Sequence, residues 1–145
     1  MPTAAIAGAH VVPVYAALLA LLFVHLSLRV IRLRRIEQVP LGGGNSEILQ
    51  RAICAQANFV EYVPIALVLL FFVETAYYPL WVVHVLGVAL LAGRAVHAWG
   101  VSREEIHYRH RIWGMRLTIW MLIASAVLLF APALGLELPV ANAAG

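Results

Sequence analysis

The stretch RAICAQANFVEYVP, from Arg51 to Pro64, places an arginine, an asparagine and a glutamate in a run that is otherwise largely apolar. An α-helix turns by about 100° per residue, so Arg51, Asn58 and Glu61 share one face. If the run crosses a membrane, Asn58 and Glu61 lie about two to three turns deep, where an ionisable group usually faces the bundle interior or a water-filled cavity. The segment therefore predicts a membrane helix with a functional polar face.

Composition supports a membrane location for the whole chain. Of its 145 residues 63% are hydrophobic and 12% charged, and the mean hydropathy is +0.91, which is too apolar for a soluble domain. Crossing a hydrocarbon core of about 30 Å takes roughly 20 mostly apolar helical residues. Four stretches satisfy this requirement, at about 11–28, 52–73, 79–98 and 112–134. We expect an all-α integral membrane fold, a four-transmembrane-helix bundle, with residues 1–145 forming a single domain.

The basic residues predict the orientation in the membrane. All ten are arginines; they concentrate at 29–35 and 103–111, and the connection between the second and third predicted helices has none. By the positive-inside rule, the first and third loops face the cytoplasm and both termini face the other side. The net charge of +3 therefore reflects membrane orientation, and it does not predict a nucleic-acid partner.

Metal-ligating residue types are sparse. Cys54 is the single cysteine, and alone it forms neither an internal disulfide nor a metal motif. His107 and His110 have the spacing of a ligand pair, but they lie in an arginine-rich loop without a third ligand. We therefore predict no metal site.

Two interpretations of the polar face invoke ordinary packing or transport. Asn58 can be an interhelical hydrogen-bond partner, and Glu61 a strut paired with a basic group, for which Arg94 and His97 in GRAVHAWG are candidates. Alternatively, four helices with one intramembrane carboxylate suit a small proton-coupled multidrug transporter in which Glu61 carries the proton.

Four motifs at four helix ends carry a family resemblance. RAICAQANFVEYVP resembles the helix 2 motif of the MAPEG family, the membrane-associated proteins in eicosanoid and glutathione metabolism. Further matches are SLRVIRLRR at Ser27–Arg35, GVALLAGRAVHAWG at Gly87–Gly100 and RIWGMRLT at Arg111–Thr118. The overall pattern is especially similar to the small bacterial inner-membrane branch of that family.

The resemblance implies a homotrimer of four-helix subunits in the bacterial inner membrane, with glutathione bound between neighbours on the cytoplasmic side. Arginines would pair its carboxylates, Glu61 would accept its ammonium, and Asn58 would hold a peptide group. Correspondence with the family places the following residues around the tripeptide: Arg34 or Arg35 from the adjacent subunit, and Arg51, Asn58, Glu61, Tyr62, Arg94 and His97.

The resemblance also implies a reaction of the microsomal glutathione S-transferase or peroxidase type. In the family an arginine at the start of helix 4 favours the thiolate of glutathione; Arg111 is the candidate and Arg109 the alternative. The thiolate would attack a lipophilic electrophile arriving from the bilayer, as in detoxification, or reduce a lipid hydroperoxide. Cys54 stands where many members have a second arginine, and Val101 where some have a tyrosine. A non-catalytic scaffold that binds lipid and glutathione is the alternative within the family.

Overall fold

The computed structural model describes residues 10–102 and 108–136, which fold into a bundle of four α-helices. Each helix is long and apolar enough to cross a membrane, and the described part of the chain contains no strand. The predicted fold class, an all-α four-helix membrane bundle, is therefore confirmed. The helices are α1 (Val12–Glu37), α2 (Glu47–Thr75), α3 (Leu80–Ser102) and α4 (Tyr108–Phe130), followed by a 3₁₀ turn at Pro132–Leu134.

Three helices are longer than the apolar runs that predicted them, and the difference is largest for α1 and α2. The first continues from the predicted end at residue 28 to Glu37, because arginine and leucine are good helix formers and arginine can reach water from a membrane edge. It ends where Gln38 adopts a left-handed conformation with φ 52°. The second begins at Glu47, because the hydroxyl of Ser46 accepts the Leu49 backbone N–H at 3.3 Å and caps the helix.

The last helix ends at Phe130, earlier than the predicted residue 134, and the sequence explains why. Pro132 follows two residues later, and proline has no N–H to donate to the carbonyl four residues before it. That carbonyl belongs to Leu128, and it accepts instead the hydroxyl of Tyr78 at 2.6 Å. Tyr78 therefore satisfies the acceptor that Pro132 leaves open and ties the start of α3 to the end of α4.

Small residues set the distance between α3 and α4, the pair with the largest shared interface. A methyl group built on Gly114 would lie 2.6 Å from the carbonyl oxygen of Gly93 and 2.6 Å from the backbone nitrogen of His97. Only glycine permits two backbones to approach this closely. In the described residues α2 contacts all three other helices, whereas α1 packs on α2 and α3 and does not reach α4.

The helix α1 is held to α2 by both a polar and an aromatic contact. Gln56 donates to the hydroxyl of Ser27 at 2.9 Å, and the rings of Phe23 and Phe59 stack with centroids 5.7 Å apart. Many large apolar side chains remain exposed on the outside of the bundle, Leu21 and Trp120 each at 68%. This is the surface expected of a bundle whose outer face contacts lipid rather than water.

Candidate functional site

A cleft of about 420 Å³ opens between α2, α3 and α4 and is lined by the polar face that the sequence predicts. Its volume falls in the range of roughly 300–1,000 Å³ that small-molecule pockets occupy. The lining residues are Cys54, Ala57, Asn58 and Glu61 from α2, His97 and Val101 from α3, and Arg111, Ile112 and Met115 from α4.

Helix geometry and the glycine contact together explain why these residues meet. On α2, Cys54, Asn58 and Glu61 recur at intervals of four and three residues, which keeps them on one face. The close approach of Gly93 and Gly114 brings the first turns of α4 against the last turns of α3. Arginine and histidine from different helices thereby reach the same cavity.

Arg94 lies behind this cleft and is one of the largest fully buried side chains, with 2% of its surface exposed. Its Nη1 donates to Oδ1 of Asn58 at 2.6 Å, and its Nε donates to the hydroxyl of Thr118 at 3.0 Å. Its Nη2 lies 3.7 Å from the sulfur of Met115, and its guanidinium lies 5.6 Å from the ring centroid of Tyr62. One side chain thus joins α2, α3 and α4.

All of these partners of Arg94 are neutral. No carboxylate of the described residues lies within ion-pair distance of its guanidinium. A buried charge without a counter-charge costs several kcal/mol, and a charged group inside a membrane protein usually marks a functional site. The arrangement therefore favours negative charge in the adjacent cleft, which Arg94 itself does not line.

Asn58 has a more restricted role than the sequence indicated. An amide offers both an acceptor and donors, but the acceptor of Asn58 is already bonded to Arg94. The amide N–H groups remain for a ligand in the cleft, and they suit a carbonyl or carboxylate oxygen. The interhelical bond predicted for Asn58 as an alternative is present, and the residue lines the cleft as well.

Three ionisable groups on the cleft wall make no hydrogen bond with any described residue: Glu61, His97 and Arg111. Arg94, one of the two candidate partners of Glu61 in the packing interpretation, bonds to Asn58 and Thr118 instead. Glu61 and Arg111 are exposed to the cavity, whereas His97 is only 5% exposed. The wall therefore presents one carboxylate, one guanidinium and one imidazole to whatever occupies the cavity.

The other arginines that the family resemblance assigned to the site lie outside this cleft. Arg34 donates to the carbonyl of Gly42 at 2.8 Å and orders the loop after α1. Arg51 forms an ion pair with Glu47, one helical turn away, at 2.9 Å. Arg35 and Arg109 are exposed and do not line the cavity. The site of one chain thus gathers Asn58, Glu61, Tyr62, Arg94, His97 and Arg111 and leaves these four apart.

Thr118 and Met115 hold Arg94 in place, and the sequence analysis gave neither of them a role. Thr118 is fully buried, and its hydroxyl donates to the carbonyl of Gly114 at 3.1 Å while accepting from Arg94. Its sequence signal was its spacing: it follows Gly114 by four residues and Arg111 by seven, which places all three on one face of α4.

Metal-ligating groups do not cluster in the part of the chain that the structure describes, where no three His, Cys, Asp or Glu side chains come together. Of the histidine pair considered from the sequence, His110 lies at the start of α4 with its ring 5.5 Å from that of Trp99. His107 lies outside the described residues.

Four membrane-length helices define a polytopic membrane protein, and three of them, α2, α3 and α4, line a cleft with amide, carboxylate, imidazole and guanidinium groups. The sequence profile of the MAPEG family matches residues 12–131, and the chain belongs to that family. The resemblance seen in its motifs is therefore confirmed. The chain is 41% identical to the inner membrane protein YecN of Escherichia coli K12 over 114 residues, covering 79% of this chain and 85% of YecN. YecN of Escherichia coli O6:H1 matches to the same extent.

Proposed function

We propose that this protein is a glutathione-dependent membrane transferase or peroxidase that binds the tripeptide in the cleft between α2, α3 and α4. The observation that carries the proposal is Arg94, a buried guanidinium with only neutral partners among the described residues, which lies behind a cavity lined by Arg111. Membership of a glutathione-associated family supports the same ligand.

The chemistry of glutathione matches the groups on the cleft wall. The tripeptide carries two carboxylates, an ammonium and a thiol. The amide N–H groups of Asn58, positioned by Arg94, suit a carboxylate or carbonyl oxygen, and the charge of Arg94 favours an anion there. Glu61, which has no partner among the described residues, suits the ammonium. The cleft thus offers a complementary group for each end of the ligand.

Arg111 is the group that would activate the sulfur. A free thiol with a pKa of roughly 8.5 is only a few per cent ionised at neutral pH, and the thiolate is the nucleophile. A guanidinium beside the sulfur stabilises the anion and does not lose its own proton. Ile112, Met115 and Val101 add apolar wall to the same cavity, which suits a lipophilic electrophile or a lipid hydroperoxide entering from the bilayer.

The proposal includes assembly and location. We infer a homotrimer in the bacterial inner membrane, with the arginine-bearing ends of the helices in the cytoplasm. The location is supported by the name of the two relatives, inner membrane protein YecN. In that assembly Arg34 or Arg35 would reach the site of the adjacent subunit, and Arg51 would complete the rim. Crosslinking in native membranes tests the trimer, and accessibility of cysteines introduced into each loop tests the orientation.

The decisive experiment is a glutathione titration of detergent-purified protein, following thiolate absorbance in the ultraviolet at neutral pH. We expect a saturable signal in the wild type that disappears in Arg111→Ala. Arg109→Ala is the matched control, because Arg109 lies two residues away and does not line the cleft. If only Arg109→Ala loses the signal, the activating role belongs to Arg109.

Two other results would redirect the proposal. Heat-stabilisation by glutathione without a thiolate signal would favour a non-catalytic scaffold that binds lipid and glutathione. The absence of both effects would contradict glutathione binding, and proton-linked efflux that depends on Glu61 would then be tested as the mark of a transporter.

A further inference from the structure

Cys54 lies on the wall of the cleft, one helical turn before Asn58 on the same face of α2. It is exposed to the cavity and is the single cysteine of the chain. Arg111 lines the same cavity from α4. A thiol therefore stands in the space where glutathione is proposed to bind.

His97 supplies an independent indication that a polar ligand occupies this space. Its side chain lines the cleft, is 5% exposed and makes no hydrogen bond with any described residue. The ring nitrogens of His97 are not among the fully buried atoms that lack a partner, so they are accessible, and the accessible space beside His97 is the cleft, where a polar ligand can bond to them. Such a ligand would lie between His97 on α3 and Cys54 on α2.

We propose that Cys54 is a second catalytic thiol of this site, which reduces hydroperoxides and is regenerated by the bound glutathione. The proposal rests on the proposed function, because glutathione must occupy the cleft. It gives the cavity two thiols when glutathione is bound, one on the ligand and one on the protein, and a hydroperoxide can oxidise this pair to a mixed disulfide.

The reaction sequence balances in three steps. The Cys54 thiolate attacks the terminal oxygen of a lipid hydroperoxide; the O–O bond breaks, the sulfur becomes a sulfenic acid, and the alkoxide takes a proton to leave as the alcohol. The glutathione thiolate then displaces hydroxide, which leaves as water, and forms a Cys54–glutathione disulfide. A second glutathione attacks that disulfide, which restores the Cys54 thiol and releases glutathione disulfide.

Intact-protein mass spectrometry tests this sequence directly. Detergent-purified wild type is mixed with glutathione and one equivalent of cumene hydroperoxide and quenched in acid. We expect one glutathionyl group per chain, which can reside only on Cys54 because the chain has no other cysteine. Excess glutathione should remove it, and hydroperoxide consumption should fall roughly tenfold or more in Cys54→Ser and in Cys54→Ala.

A thiol moved out of the cleft is the matched control. In the double variant Cys54→Ser with Ile48→Cys, the thiol stands in the first turn of the same helix, at a position that is 40% exposed. A reaction that needs only an accessible thiol would modify this variant as fast as the wild type. We expect the wild type to react roughly tenfold faster, because only Cys54 shares the cleft with glutathione.

Three results would overturn the inference, and they separate it from the proposed function. Equal adduct rates in the wild type and the control, or full hydroperoxide turnover in both Cys54 variants, would show that Cys54 is not in the cycle, even where glutathione still stabilises the wild type against heat. If glutathione neither stabilises nor modifies the wild type, the proposed function and this inference fail together.

Discussion

Glu61 and Glu74 lie on the same helix, about 20 Å apart along its axis, and have opposite surroundings. One carboxylate oxygen of Glu74 accepts the backbone N–H groups of Val11 and Val12, where α1 begins, and the other faces the imidazole of His10 at 3.7 Å. Glu61 faces the cleft and has no bond to any described residue. The same residue type thus completes the fold near the end of α2 and faces the cleft, without a partner among the described residues, at the middle of the helix.

The two ends of the bundle differ in the same way. At the Glu74 end, the hydroxyl of Tyr15 lies 3.0 Å from Nδ1 of His84, and Tyr78 bonds the carbonyl of Leu128. At the cleft end, the described residues that hold the buried charge of Arg94 are all neutral. Polar residues in these membrane helices therefore either complete the fold or serve the cleft. Their hydrogen-bond partners within the chain distinguish the two roles.

The largest expected effect is a loss of glutathione affinity in Arg94→Met. It tests whether the buried polar groups at the cleft end serve binding rather than the fold. We expect affinity to fall about 100-fold, close to 3 kcal/mol, because the buried cation is lost. The melting temperature in detergent should change little, because methionine fills similar space and Thr118 keeps its bond to Gly114. Binding and melting measured on the same preparations provide the check; a collapse of the melting temperature would mean that Arg94 serves the fold.

Disrupting the close contact of α3 and α4 should have the next largest effect, which is a loss of stability. A methyl on Gly114 meets backbone atoms of α3 that cannot move aside, so Gly114→Ala should cost about 2–3 kcal/mol and lower the melting temperature by several degrees. Ser125→Ala is the control on the same helix, since its buried hydroxyl has no hydrogen-bond partner in the described chain; it should be neutral or slightly stabilising. An equal loss in both variants would contradict a backbone clash.

The two glutamates themselves permit a paired test with one substitution. Glu74→Ala leaves two backbone N–H groups of α1 without their acceptor, so thermal unfolding should become easier by about 1–2 kcal/mol with unchanged glutathione binding. Glu61→Ala should weaken glutathione binding about tenfold at an unchanged melting temperature. If the two variants showed reversed or identical effects on stability and glutathione binding, the assigned contrast between Glu61 and Glu74 would be wrong.

The smallest expected effect is that of Tyr15→Phe. The change removes one hydroxyl, which contacts both the ring and the carbonyl of His84, and keeps the aromatic packing. We expect a loss of about 1 kcal/mol in stability and no change in glutathione affinity. Differential scanning fluorimetry with and without glutathione measures both quantities; a change in affinity would show that the Glu74 end is coupled to the cleft.

The sequence predicted the polar face of α2 well, because helical periodicity alone aligns Cys54, Asn58 and Glu61. It did not reveal that Asn58 binds Arg94 while Glu61 has no partner among the described residues, because the partner across two helices depends on their rotation and separation. Neither did it predict the role of Thr118, whose importance comes from facing Arg94. Residue type and spacing predict which residues share a polar face, whereas the hydrogen-bond partners of those residues are decided by the tertiary structure.

By itself the sequence determined the membrane bundle, the number of helices and the face that carries the polar groups, because apolar length and helical period are local properties of the chain. Only the tertiary structure decided which arginine is buried, which carboxylate is open and that Cys54 shares a cavity with His97 and Arg111. The physical reason is that the separation and rotation of the helices, of which the close glycine contact between α3 and α4 is one example, determine which side chains can bond to one another.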